Sequence, residues 1–193
     1  MWKDWNQAYE LQGHTQSVLA VLSIPRDTPA FTTFNTTDQF LTASADKSIK
    51  LWAQHKAVRT FNGHADVVRA LVLIPDLGFA SSSNDTEIRV WTAEGDTVYV
   101  LGGHTSFVYS LSLLDDGGIV SGGEDRTMRV WRDGECVQSI VHPAISVWAV
   151  TAVPGSGDVI SGCSDGVVRV FSPAEARWMS EDQLKASKEY LGT

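Results

Sequence analysis

The sequence predicts an all-β fold assembled from repeated four-stranded units, and three observations carry that prediction. An Asp is followed six residues later by an aromatic at Asp46/Trp52, Asp85/Trp91, Asp125/Trp131 and Asp165/Phe171, and these aspartates lie 39, 40 and 40 residues apart. Gly-His pairs recur in phase at Gly13-His14, Gly63-His64 and Gly103-His104. Between each Asp and its aromatic, apolar and polar residues alternate, as in Lys47-Ser48-Ile49-Lys50-Leu51 and Arg126-Thr127-Met128-Arg129-Val130, which is strand patterning after a turn. A fixed period of this length decides the architecture before any single element does.

Within one period the elements follow in order. After each Gly-His comes an apolar strand, such as Val67-Val68-Arg69-Ala70-Leu71-Val72-Leu73, and then a turn of the Asp115-Asp116-Gly117-Gly118 kind. A second strand carries a hydroxyl four residues before the Asp (Thr42, Ser81, Ser121, Ser161), the third ends on the aromatic, and a fourth leads to the next Gly-His. The pattern resembles the WD40 repeat of β-propellers over residues 1–172. Residues 173–193 read instead as a helical tail or linker, with a helix start at Ser180 and its capping partner Gln183.

Both ends depart from the repeat. Trp2 precedes His14 by 12 residues, as Trp52 precedes His64, so the chain begins in mid-blade, and no fourth strand follows Phe171. Two closures are open: Ala8 to Leu11 pairs with the last blade and closes a four-bladed ring, or further blades belong to upstream sequence. The expectation is a partial propeller. Arg26 to Asp38, rich in Thr and Pro, lengthens the first repeat and reads as a surface loop.

A net charge of −8 excludes sequence-independent nucleic-acid binding and adhesion to anionic membranes, and no apolar run is long enough to span a bilayer. Without a secretory start, and with Cys136 and Cys163 as the only cysteines, a reducing cytosolic or nuclear setting is expected, both thiols being buried. The sequons Asn35-Thr36-Thr37 and Asn84-Asp85-Thr86 are then chance matches. The histidines fall outside metal-ligand spacing of a cysteine or of each other, so no metal or cofactor is expected.

His, hydroxyl and Asp are the residue types of a hydrolase triad. Here the set recurs as His14/Thr42/Asp46, His64/Ser81/Asp85 and His104/Ser121/Asp125, each with a Trp in register (Trp52, Trp91, Trp131). A nucleophile needs one exposed copy beside an oxyanion hole. One copy per blade is instead a buried network whose members satisfy one another, so no catalytic residue is expected. In the fourth repeat, aligning Val147 with Val108 puts Pro143 at the His position, so this blade is expected to lack a network histidine, leaving Asp165 to find another donor while Phe171 replaces the indole.

Several stretches are more particular. Residues 40–52 (FLTASADKSIKLW), 103–111 (GHTSFVYSL), 119–131 (IVSGGEDRTMRVW), 142–148 (HPAISVW) and 177–182 (RWMSED) together resemble the phospholipase A2-activating protein family. The resemblance implies the last four blades of a seven-bladed, non-catalytic propeller that binds ubiquitin and serves ubiquitin homeostasis and ubiquitin-dependent degradation with the valosin-containing AAA ATPase. The ATPase is docked by family domains absent from this chain, and a cytoplasmic and nuclear location is implied. Candidate ubiquitin contacts on the face formed by the loops before first strands and between second and third strands are Arg69, Asn84, Phe107, Tyr109, Glu124 and Trp148, aromatic and Arg side chains being the types that dominate binding when exposed. The alternative is a generic WD40 scaffold or peptide reader.

Overall fold

The computed structural model describes residues 9–34 and 38–173. Trp2, Ala8, the sequon at Asn35, and the tail with its Ser180 helix start lie outside the described residues. The first repeat gives β1 (Val18–Ile24), β2 (Gln39–Ser44), β3 (Ile49–Ala53) and β4 (Lys56–Phe61). The second gives β5 (Val68–Ile74), β6 (Gly78–Ser83), β7 (Ile88–Thr92) and β8 (Thr97–Leu101); the third gives β9 (Val108–Leu113), β10 (Ile119–Gly123), β11 (Thr127–Arg132) and β12 (Glu135–Val141). The fourth holds β13 (Val147–Ala152), β14 (Val159–Cys163) and β15 (Val168–Phe171). Each repeat is one antiparallel meander, with four strands in the first three sheets and three in the last. This is an all-β partial propeller.

The core lies between blades rather than within them. Leu41, Ile49, Leu51, Phe61, Val68 and Phe79 fill the first seam, Ala80, Ile88, Leu101, Val108 and Ile119 the second, and Leu114, Val120, Met128, Val147 and Val150 the third. The middle strands β6 and β10 are buried throughout because both faces meet a neighbouring blade. The third seam also has polar stitching. Ser110 and Ser112 Oγ accept the N–H groups of Val150 and Ala152 at 3.1 and 2.9 Å, and Asp115 takes Gly155 N–H at 2.6 Å. The two serines satisfy donors that β13, the innermost strand of its blade, would otherwise leave unpaired, and Asp115 ties down the turn that follows it.

Of the two closures left open, the strand at Ala8 to Leu11 finds no support in its described part: Tyr9 to Leu11 form no strand, and Tyr9 lies against His55 with ring centroids 4.3 Å apart. Two expectations need correction. The Arg26–Asp38 insertion keeps Arg26, Asp27, Pro29, Thr32 and Asp38 exposed, as a surface loop should, but it is also anchored inward. Its 3-10 segment Pro29–Phe34 buries Phe31 to 3% exposure in the first seam, and Ala30 N–H donates to the Pro75 carbonyl of the next blade. Thr and Pro set the local turns, but the apolar ring decides the packing. Cys136 is exposed because it sits on the outermost strand of its blade, whereas Cys163 is half-buried.

The two end faces stay bare: Val18 and Val21 on β1 and Val168 and Val170 on β15 are 47 to 69% exposed. Apolar strands left this way are association templates. Size-exclusion chromatography of the isolated 193-residue chain is expected to show oligomers, and a monodisperse 21.0 kDa monomer would contradict that.

Candidate functional site

The His–hydroxyl–Asp sets are closed networks. In the second blade Trp91 Nε1–H donates to Ser81 Oγ at 2.8 Å, Ser81 meets His64 Nε2 at 2.8 Å, and His64 Nδ1 meets Asp85 at 2.8 Å. In the third, Trp131, Ser121, His104 and Asp125 repeat this with distances of 2.8, 2.7 and 2.8 Å. The first runs Trp52, Thr42, His14, Asp46 at 2.7, 2.7 and 2.8 Å. Having accepted the indole proton, the hydroxyl donates to Nε2, and the imidazole Nδ1–H is left to donate to the carboxylate. Ser81 and Ser121 are wholly buried. Gly63 precedes the histidine because a Cβ there would stand 2.9 Å from the Trp91 indole.

Each network Asp also caps its turn. Asp46, Asp85 and Asp125 accept the N–H two residues on at 3.0 Å, which holds the intervening Lys47, Thr86 and Arg126 at positive φ. Burial is the largest single influence on Asp85 and pushes its pKa up. The hydrogen bonds from His64, Ala65 and Glu87, together with the His64 charge, outweigh it and leave the carboxyl at about 2. Asp46 and Asp125 are also depressed, burial again being opposed by hydrogen bonds from Ser48, Thr15 and His14 in one and from His104, Thr127 and Thr105 in the other. A depressed folded-state pKa stabilises above the unfolded value and loses that contribution as pH falls through the folded one. Stability is therefore expected to drop between the unperturbed value of 3.8 and about 2, read by acid titration of the circular dichroism signal; a flat response over that window would contradict the network.

The fourth blade overturns one expectation. His142, not Pro143, takes the histidine role: its Nε2 lies 2.9 Å from Ser161 Oγ and its ring is 2% exposed. From the paired strand residue to the histidine the chain runs two residues here (Ile140 to His142) against three in the third blade (Leu101 to His104), and the next loop is longer by one. The spacing changes cancel. Asp165 does take another donor, Arg169 Nη2 at 2.5 Å, and His142 Nδ1 has no hydrogen-bond partner among the described residues. Burial lowers the His142 pKa, opposed by the nearby Ile140 carbonyl.

On the loop face the six candidate residues form one cluster. Register shifts leave Leu19, Arg69, Tyr109 and Trp148 unpaired, one per blade, each directly after the valine that opens the innermost strand. A bulge of this kind turns its side chain out of the ladder. Tyr109 and Trp148 stack at 4.4 Å with an interplanar angle of 16°, Phe107 meets Tyr109 edge-on at 6.4 Å, and the Arg69 guanidinium sits 5.7 Å from the Tyr109 ring centre. Asn84 accepts Arg69 Nε–H at 2.8 Å, and Ser106 donates to Glu124 at 2.6 Å. Burial, then the charge of Glu124 and a hydrogen bond to it, raise the Tyr109 pKa against the pull of Arg69. Trp148 remains 54% exposed. Sequence reasoning missed Leu19, 43% exposed at the equivalent bulge, although its place after Val18 was the available signal.

Among the described residues no group of three or more His, Cys, Asp or Glu could hold a metal ion, and no helix is long and apolar enough to cross a membrane. Seams, networks and bulges together define a WD40 propeller, and the chain belongs to the WD domain, G-beta repeat family, whose repeat matches residues 5–53, 55–92, 95–132 and 134–172. It is similar, at 43% identity over 135 residues, to the ubiquitin homeostasis protein lub1 of Schizosaccharomyces pombe, covering 69% of this chain and 18% of that protein. It is also 43% identical over 79 residues to the ubiquitin fusion degradation protein 3 homolog of Caenorhabditis elegans, covering 41% of this chain and 8% of that one. The solved WD40 β-propeller domain of Doa1 superimposes with a TM-score of 0.77 at 45% identity, over 88% of this chain and 55% of that chain. The chain thus spans less than a fifth of each of these two curated relatives and about half of the Doa1 chain.

Proposed function

We propose that these blades are the ubiquitin-binding part of a protein of the phospholipase A2-activating protein family, acting in ubiquitin homeostasis and ubiquitin-dependent degradation in the cytoplasm and nucleus and catalysing nothing. The observation that carries this reading is the continuous Arg69–Tyr109–Trp148 stack across three blades, an aromatic and Arg anchor ending in a half-exposed indole. The relatives named for ubiquitin homeostasis and ubiquitin fusion degradation supply the partner class. Burial of every network serine argues against nucleophilic catalysis. Partnership with the valosin-containing AAA ATPase runs through regions other than these blades. The test is a calorimetric titration of the full-length protein carrying these blades with monomeric ubiquitin. A dissociation constant in the micromolar range is expected, and no binding at about 1 mM ubiquitin would overturn the reading.

A further inference from the structure

The loop from His142 to Ser146 departs from its counterparts in a way the cluster above does not use. From network histidine to opening valine the chain runs four residues at His14–Val18, His64–Val68 and His104–Val108, but five at His142–Val147. Ile145 occupies this lengthened loop and is 77% exposed, more than any other large apolar side chain among the described residues. Its backbone is nevertheless fixed. Ile145 and Ser146 N–H both donate to Ser164 Oγ at 3.1 and 3.0 Å, and Ser164 N–H returns a bond to the Ser146 carbonyl. Ala144 and Ser146 on either side are buried, so Ile145 projects between them. Ser164 stands directly before Asp165, as Asn84 and Glu124 stand before Asp85 and Asp125, which places Ile145 on the same loop face as Trp148.

The charged members of the cluster are already engaged, while Lys47 and Arg126 stand exposed on the turns between second and third strands of the first and third blades. The Arg69 guanidinium is held by Asn84 and the Tyr109 ring, and Glu124 by Ser106 and Tyr109. What remains outward beside Trp148 is aliphatic. We infer that Ile145 is the outer anchor of the ubiquitin-binding face, seating with Trp148 an apolar patch on folded ubiquitin rather than a charged segment or chain end, and that Ser164 is its positioning residue. With its backbone held by Ser164, Ile145 has less freedom to lose on binding than a residue on a loose loop, and burying its side chain adds to affinity. The inference rests on the ubiquitin reading above.

The test titrates ubiquitin into the full-length protein as wild type, Ile145→Ala, Ile145→Asp, Ser164→Ala and Ser164→Thr, at about 50 and 500 mM salt. Ile145→Asp is expected to weaken binding by roughly tenfold or more and Ile145→Ala by several-fold, with the fold unchanged because the side chain is exposed. Ser164→Ala weakens binding and Ser164→Thr, which keeps the hydroxyl, restores it. Wild-type affinity should move less than about threefold with salt, since the contact is apolar. Wild-type affinity for Ile145→Asp, in a protein that loses binding with Trp148→Ala, overturns the Ile145 anchor and leaves the ubiquitin reading standing. A steep salt dependence overturns the apolar-patch assignment, and failure of the wild type to bind overturns both.

Discussion

Replacing His104 by alanine is expected to cost about 3–5 kcal/mol, and His142→Ala about 1–2 kcal/mol, although both rings are almost fully buried. Removing the His104 ring strands two partners at once. Asp125 loses the Nδ1–H that faces it at 2.8 Å, and Ser121 loses its acceptor while still holding the Trp131 indole proton. Both groups stay buried, and although Thr105 and Thr127 still donate to Asp125, removing one partner of a buried carboxylate is the costly case. Among the described residues the His142 ring bonds to Ser161 alone, and Asp165 is served by Arg169 whether or not the imidazole is present. Denaturant unfolding of the two variants measures the difference. Equal costs would mean that the third blade's network is worth no more than the open fourth.

Tyr109→Ala and Trp148→Ala are each expected to weaken ubiquitin binding by about 1–3 kcal/mol, or roughly 5- to 150-fold, with stability nearly unchanged for Trp148. The two rings stack on each other, so neither deletion is local: losing either leaves the other without its 4.4 Å partner, and loss of Tyr109 also frees Arg69. The double variant should therefore fall short of the sum of the singles. Titration of the two single variants and the double, each checked for folding by circular dichroism, reads this directly. Full additivity would show the rings contributing independently, and unaltered affinity in both singles would place the binding surface elsewhere.

The repeats were legible because every blade solves the same burial problem with the same residue types, and the networks at His14, His64 and His104 followed from their recurrence at the repeat period together with the WD40 resemblance. His142 was misplaced for an equally physical reason. Register counted back from Val147 and register counted forward from Ile140 both lead to Pro143, because the link before the histidine is one residue short and the loop after it one residue long, and only the folded chain shows that His142 meets Ser161. Phe31 was hidden by its Thr- and Pro-rich surroundings, because propensity describes the turn and says nothing of the ring's burial in the first seam. The loop-face cluster was visible as residue types following a valine, but its cohesion depends on bulges that re-aim Arg69, Tyr109 and Trp148, which no local pattern encodes. Between the two closures left open, strand propensity at Ala8 to Leu11 could not tell which edge is within reach; in the described part Tyr9 meets His55.

The central claim is that the bulge-bearing loop face receives ubiquitin, and backbone hydrogen exchange of the full-length protein with and without saturating ubiquitin tests it most directly. Protection is expected to rise in the loops spanning 105–109 and 143–148 and in the turn at Asn84, while the outer strands β8 and β12 exchange as before. Protection appearing on β8 and β12, or nowhere in these blades, would contradict the account.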